Sequence, residues 1–292
     1  LNVRRQRQMC IRDRSKIKSY AKINLALNII KKNLYLHKIE TIVAFISLFD
    51  EIYIKQILSN KHKISFTGQF SKKIGKDNTI SKLLKILERK GLLKDKKFKI
   101  KIKKNIPSKA GLGGGSMNAS SILNFFIKKK IIKSNKKEVI KISNEIGSDV
   151  ILGLNPMNSI LYGNNQIKYF SGCEKFYLLI VKPNFGCSTK EIYSKVKKID
   201  KKKIYNPGKR MFNLSYLKRS SNSLEPIVLS KHANLKKIKL FLETLPGSFF
   251  ARMTGSGSAL IAYFKSKKGC EKAKIKFRKK HKNYWCITSK TI

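Results

Sequence analysis

Three stretches of this chain carry residues that could move a phosphoryl group. GLGGGSM, Gly111 to Met117, places four glycines in five positions. Glycine loses more conformational freedom on folding than any other residue, so such a run belongs where bare backbone must touch something. AKIN, Ala21 to Asn24, sets Lys22 inside an otherwise apolar segment, and GSDV, Gly147 to Val150, sets Asp149 just ahead of the apolar run VILGL. A glycyl backbone can cradle phosphate, an ammonium can neutralise charge on a transferring group, and a carboxylate can accept the proton of a hydroxyl. A fourth stretch, TGSGSALIAYF from Thr254 to Phe264, is a second glycine turn feeding an apolar run. Each has a plainer reading: a snorkelling lysine, a helix-capping aspartate, a hairpin turn.

The elements that must position these groups follow from periodicity. FKIKIKK, Phe98 to Lys104, alternates Phe98, Ile100 and Ile102 against lysines, the pattern of a half-buried strand. NIPSKAGLGGG then reads as a loop. From Ser116 the apolar positions Ala119, Ile122, Leu123, Phe126 and Ile127 recur every three or four residues, as on one face of a helix. The order strand, glycine loop, helix presents unpaired helix N–H groups to an anion. No GK[ST] follows, which excludes a Walker loop, and no acidic residue stands where a dinucleotide fingerprint needs one. SYAKINLALNII, Ser19 to Ile30, reads as a strand with Ile23, Leu25 and Leu27 on one face. A second strand ends near Phe49, and DEIYIKQI and KISFTG read as further short strands of a mixed sheet. Asp77 or Asn78 caps a helix over TISKLLKILERK, which Gly91 ends.

Composition narrows the classes. The 292 residues suit one large domain or two modest ones, and 41% hydrophobic content is ample for a core. The longest apolar run, Thr41 to Phe49, is far short of the ~20 residues that cross a bilayer. No secretory segment is recognisable, and a cytoplasmic location without membrane partners is expected. Cys10, Cys173, Cys187, Cys270 and Cys286 form no CxxC pair, which argues for reduced thiols rather than zinc or a disulfide framework. The formal charge of +50 invites a nucleic-acid function. Yet only ten of the 66 basic residues are arginine, the better reader of bases, and the lysines spread along the whole chain. The field suits anionic small molecules instead. LNVRRQRQMCIRDR at the start holds five of the ten arginines and no lysine, so residues 1–14 read as a non-native or disordered segment.

Taken together and in order, AKIN, IPSKAGLGGGSMNAS, IGSDV and MTGSGSALIAYF resemble the signature segments of the GHMP small-molecule kinases. LHKIET, Leu36 to Thr41, and NSLEP, Asn222 to Pro226, resemble the branch acting on a cytidine diphosphate-linked methylerythritol in non-mevalonate isoprenoid synthesis. The resemblance runs from about Ser19 to about Phe264. It implies an α/β (α+β) fold of two domains, residues 15–165 like the second domain of ribosomal protein S5 and residues 166–292 ferredoxin-like, with the active site between them. It implies that ATP, with Mg²⁺, lies on the loop formed by Pro107, Ser108, Lys109, Ala110, Gly111, Leu112, Gly113, Gly114, Gly115, Ser116 and Met117. Lys22 and Asp149 match the catalytic pair, and Asn24 and His37 match positions that hold the substrate. It further implies a small-molecule partner, no nucleic acid, and a monomer or homodimer. Leu36 stands where many members carry a tyrosine that stacks on cytosine, so either Tyr35 or another aromatic stacks instead, or cytosine is gripped more by hydrogen bonds. Ser223 stands where the family carries an aspartate.

The chemistry constrains the acid. A carboxylate and an alcohol differ by about 12 pK units, so removing the proton beforehand costs roughly 16 kcal/mol. The aspartate must therefore take the proton as the O–P bond forms. Other GHMP kinases, of the homoserine or mevalonate type, are the near alternative. A basic RNA-binding protein is the distant one, and it would need no base.

Overall fold

The computed structural model describes residues 14–32, 37–72, 74–202 and 204–292. They divide into two compact units whose chain segments interleave. The first holds the described residues up to Ala21, Leu48–Pro107 and Gly113–Pro156; the second holds Lys22–Ser47, Ser108–Leu112 and Met157–Ile292. Two long strands, β1 (Ser15–Lys31) and β2 (Lys38–Ile57), contribute to both, and they pair with each other.

In the first unit β2 pairs antiparallel with β4 (Lys97–Lys103), from Glu51↔Lys103 to Ile57↔Lys97, and β3 (Lys63–Thr67) pairs parallel with β4. The alternation of β4 buries Phe98, Ile100 and Ile102 and leaves the lysines toward water. Among the described residues its helices are α1 (Thr79–Arg89), α2 (Gly114–Lys128), α3 (Lys136–Ile146) and α4 (Val150–Leu154). Asn78 caps α1, its side chain accepting from Ile80 and Ser81 N–H while Ser81 answers the Asn78 N–H. Leu83, Leu84 and Leu87 of α1 and Ala119, Ile122, Leu123 and Phe126 of α2 close the core over the sheet. The apolar stretch ending near Phe49 and DEIYIKQI are one continuous strand, β2, rather than two.

In the second unit β2 pairs with β5 (Asn158–Tyr162), and β5 with β6 (Gln166–Phe170). A separate four-stranded antiparallel sheet runs in the order β10 (Trp285–Lys290), β7 (Tyr177–Lys182), β9 (Leu260–Phe264), β8 (Ala251–Met253). Its helices are α5 (Thr189–Ser194), α6 (Leu214–Arg219), α7 (Glu225–Lys231), α8 (Ala233–Glu243) and α9 (Lys267–Lys280). Leu235, Ile238 and Leu242 of α8 and Ala273 and Phe277 of α9 pack on Leu179, Val181, Ala262 and Phe264 of the sheet. Four of the five cysteines lie among the described residues, all free and buried, while Cys10 and the rest of residues 1–13 lie outside them. No helix among the described residues is long and apolar enough to cross a membrane.

Candidate active site

Lys22 is 3% exposed, so it does not snorkel to water. Its ammonium donates to Asn24 Oδ1 at 2.7 Å, and its backbone N–H donates to the Leu112 carbonyl at 3.1 Å, which fastens β1 to the glycine loop. Asn24 is held on three sides. Its N–H donates to Thr254 Oγ1 at 2.9 Å, its Nδ2 donates to Thr41 Oγ1 at 2.8 Å, and its Oδ1 receives Lys22. The Thr41 hydroxyl is itself committed as a donor to the Ala26 carbonyl at 2.6 Å, so only a lone pair faces Asn24 and the amide has one orientation. Thr254 donates in turn to the Gly111 carbonyl at 3.2 Å.

That contact explains one glycine. Gly111 has φ +73°, and a Cβ on it would lie 2.0 Å from the Thr254 carbonyl oxygen. Two glycine turns meet there backbone to backbone, and no other residue fits. The loop carbonyls are consumed inward: Lys109 accepts from Cys187 and Ser258 N–H, Ala110 from Ala259 N–H, and Leu112 from Lys22 N–H. The side chains of Pro107, Ala110, Leu112 and Met117 are buried, while Ser108 and Lys109 are exposed. Gly113 is left-handed at φ +68° and opens α2, and Met117 N–H closes the first turn on the Gly113 carbonyl at 2.9 Å. Among the described residues, no backbone N–H from Ala110 through Gly114, Gly115 and Ser116 has an acceptor.

In the first unit Asp149 stands at the N-cap position of α4 without making a side-chain cap bond. The helix-capping reading is therefore not realised. The TGSGS turn does join β8 to β9 as a hairpin, but it also serves the loop through Thr254.

His37 is half-buried, and its Nε2 is buried without a hydrogen-bond partner among the described residues. Burial, with Lys32 nearby, holds its imidazole below the ordinary histidine pKa, so it is neutral at pH 7. The ring meets Tyr193 of α5 edge-on at 5.4 Å between centroids. Sequence reasoning missed Tyr193, because nothing in its local spacing sets it apart from a core aromatic. Tyr35 and Leu36 lie outside the described residues. The Ser223 hydroxyl bonds the Leu27 carbonyl at 2.9 Å and the Asp200 carboxylate, whose Oδ2 also receives Ile29 N–H at 3.1 Å. A carboxylate is thus present beside position 223 after all, supplied by a different segment. Its neighbour Asn222 donates to the Met253 and Gly255 carbonyls, both at 2.8 Å, and braces the second glycine turn. Among the described residues no group of three His, Cys, Asp or Glu gathers that could hold a metal ion.

Comparison with known proteins settles the family. Residues 78–161 match the GHMP kinases N terminal domain. Over 277 residues the chain is 56% identical to the 4-diphosphocytidyl-2-C-methyl-D-erythritol kinase of Pelagibacter ubique (strain HTCC1062), covering 95% of this chain and 99% of that protein. The chain belongs to the GHMP kinases. The kinase of the same name from Clostridium tetani (strain Massachusetts / E88) is 34% identical over 295 residues, covering 95% of this chain and 100% of that protein. Among solved structures, a 4-(cytidine 5'-diphospho)-2C-methyl-D-erythritol kinase shares the fold with a TM-score of 0.75 at 22% identity, covering 94% of this chain and 99% of the other. Homoserine kinase from Cytophaga hutchinsonii shares it with a TM-score of 0.67 at 15% identity, covering 97% and 95%. The GHMP fold is therefore present, as the signature segments implied.

Proposed function

We propose that this GHMP kinase transfers the γ-phosphate of ATP to the 2-hydroxyl of 4-diphosphocytidyl-2-C-methyl-D-erythritol. The observation that carries the reading is 56% identity across nearly the whole chain to a kinase named for that acceptor. The row of N–H groups without acceptors from Ala110 to Ser116 fits phosphate oxygens, which supports the loop as the ATP site. Bound ATP with Mg²⁺ supplies the phosphoryl group and offsets its charge; the phosphates themselves would hold the metal, with the Ser116 hydroxyl as the protein's contribution.

The chain's own residues then have separate tasks. The loop amides take up negative charge without reorganising, because the carbonyls behind them are already bonded. Lys22, fixed by Asn24, stabilises charge on the phosphoryl group in flight. Asp149 orients the 2-hydroxyl and receives its proton on a carboxylate oxygen as the O–P bond forms. Asn24 and neutral His37 hold the acceptor, and Tyr193 beside His37 offers the π-face that Leu36 lacks. The same reading assigns ATP binding to residues 15–165, with 166–292 as the second domain. It also takes the protein to work as a monomer or homodimer without nucleic acid.

The test is phosphate transfer by purified protein with ATP and each of three acceptors: the cytidylyl methylerythritol, homoserine and mevalonate. Transfer is expected to the first alone. The Asp149→Asn variant is expected to lose about 10²–10⁴-fold in kcat with its melting temperature unchanged. Near-normal turnover by that variant would refute the role of Asp149, and transfer to homoserine or mevalonate would reassign the acceptor.

A further inference from the structure

Asp50 lies midway along β2 and is 0% exposed, yet the phosphoryl-transfer chemistry does not use it. Its two oxygens receive four donors, all within the first unit. Oδ1 accepts from the backbone N–H of Asn105 at 2.7 Å and of Ile106 at 2.8 Å. Oδ2 accepts from Asn118 Nδ2 at 2.9 Å and pairs with the ammonium of Lys104. These donors come from both flanks of the glycine loop. Lys104, Asn105 and Ile106 lead into it, and Asn118 stands on α2 just after it. Lys104 also abuts the loop: a Cβ on Gly114 would lie 3.2 Å from its Nζ.

We propose that Asp50 is a positioning residue for nucleotide binding, clamping the entry and the exit of the glycine loop onto one carboxylate so that the amide row is formed before ATP arrives. A buried charge is costly, and a core strand that needed only packing would be served better by an apolar residue. A carboxylate saturated by four donors drawn from two flanks is a means of fixing their separation. The inference rests on the reading of the loop as the ATP site.

The decisive variant is Asn118→Leu, which removes the exit-side bond and leaves the Asp50–Lys104 pair intact. The second is Asp50→Asn combined with Lys104→Met, which removes both charges so that neither is stranded. Calorimetry with a non-hydrolysable ATP analogue, KM for each substrate and thermal melts are measured on the full chain. Each variant is expected to bind the analogue about tenfold more weakly, the size of one lost charge-assisted bond, while acceptor KM stays within about twofold. A folded Asn118→Leu with wild-type analogue affinity overturns the proposal. Equal weakening toward ATP and acceptor also overturns it, since that is what general structural damage produces. A wild-type chain that does not bind the analogue overturns the ATP reading and this proposal together, whereas wild-type binding with unaffected variants overturns this proposal alone.

Discussion

Thr254→Val is the sharpest probe of how the second unit holds Lys22 and the start of the glycine loop. The hydroxyl is 0% exposed and does two things: it accepts from Asn24 N–H at 2.9 Å and donates to the Gly111 carbonyl at 3.2 Å. Valine fills nearly the same volume, so no cavity opens, but both bonds go. Stranding a buried N–H costs about 1–3 kcal/mol, and losing the second, neutral bond adds about 1 kcal/mol. The expected destabilisation is about 2–4 kcal/mol, which in a chain of this size lowers the melting temperature by roughly 3–7 °C. Activity should fall further than stability implies. Asn24 fixes the Lys22 ammonium, and Gly111 is the first glycine of the loop, so both lose their reference point. A displacement near 1 Å can cost about 10²-fold in rate. Steady-state kinetics and differential scanning calorimetry are to be run at a temperature where the variant is fully folded. Thr254→Ser is the control, because it keeps the hydroxyl and gives up only a methyl, and it should recover most of both losses. The reasoning is refuted if valine behaves as wild type, or if serine is as damaging as valine.

Three other outcomes follow from the same geometry. Lys22→Met should lower kcat by at least about 10²-fold while the protein still melts cooperatively, since it removes a charge and the bond to Asn24 but little volume; loss of the cooperative transition would make that lysine structural. Gly111→Ala should abolish soluble expression or cost several kcal/mol, because its Cβ would overlap the Thr254 carbonyl; a stable, active alanine variant would contradict the packing of the two turns. His37, His62, His232 and His281 all have lowered pKa values, each chiefly through burial, so the folded state binds protons less readily than the unfolded one. Their contribution is complete above the unfolded value of about 6.5 and is lost as pH falls through the lowered folded values. The melting temperature should therefore drop between pH 7.5 and pH 5, less steeply in a His62→Gln, His281→Gln double variant, and a flat profile would count against buried neutral imidazoles.

What the sequence shows and hides divides along a physical line. The strand, loop and helix around Gly111 are legible because strict alternation in β4 and three-four spacing in α2 are local signals, and the Asn78 cap is local too. Strand β2 looks like two pieces because Asp50 interrupts its apolar run, and a carboxylate there reads as a break until Lys104, far along the chain, is seen to meet it. The helices of the second unit are masked by lysine: of the fourteen residues of α9 only Cys270, Ala273 and Phe277 are buried, too thin a stripe to stand out. The roles of Thr254, Tyr193 and Asp200 depend wholly on contacts between distant segments, and no spacing rule reaches them. Ser223 makes the point most directly. Compared position by position, it is a lost aspartate. In space a carboxylate stands beside it, because Asp200 accepts the serine hydroxyl and the Ile29 amide. The Asp200 carboxylate beside Ser223 and Leu27 comes from 23 residues earlier in the chain, a meeting that a comparison of positions one at a time does not reveal.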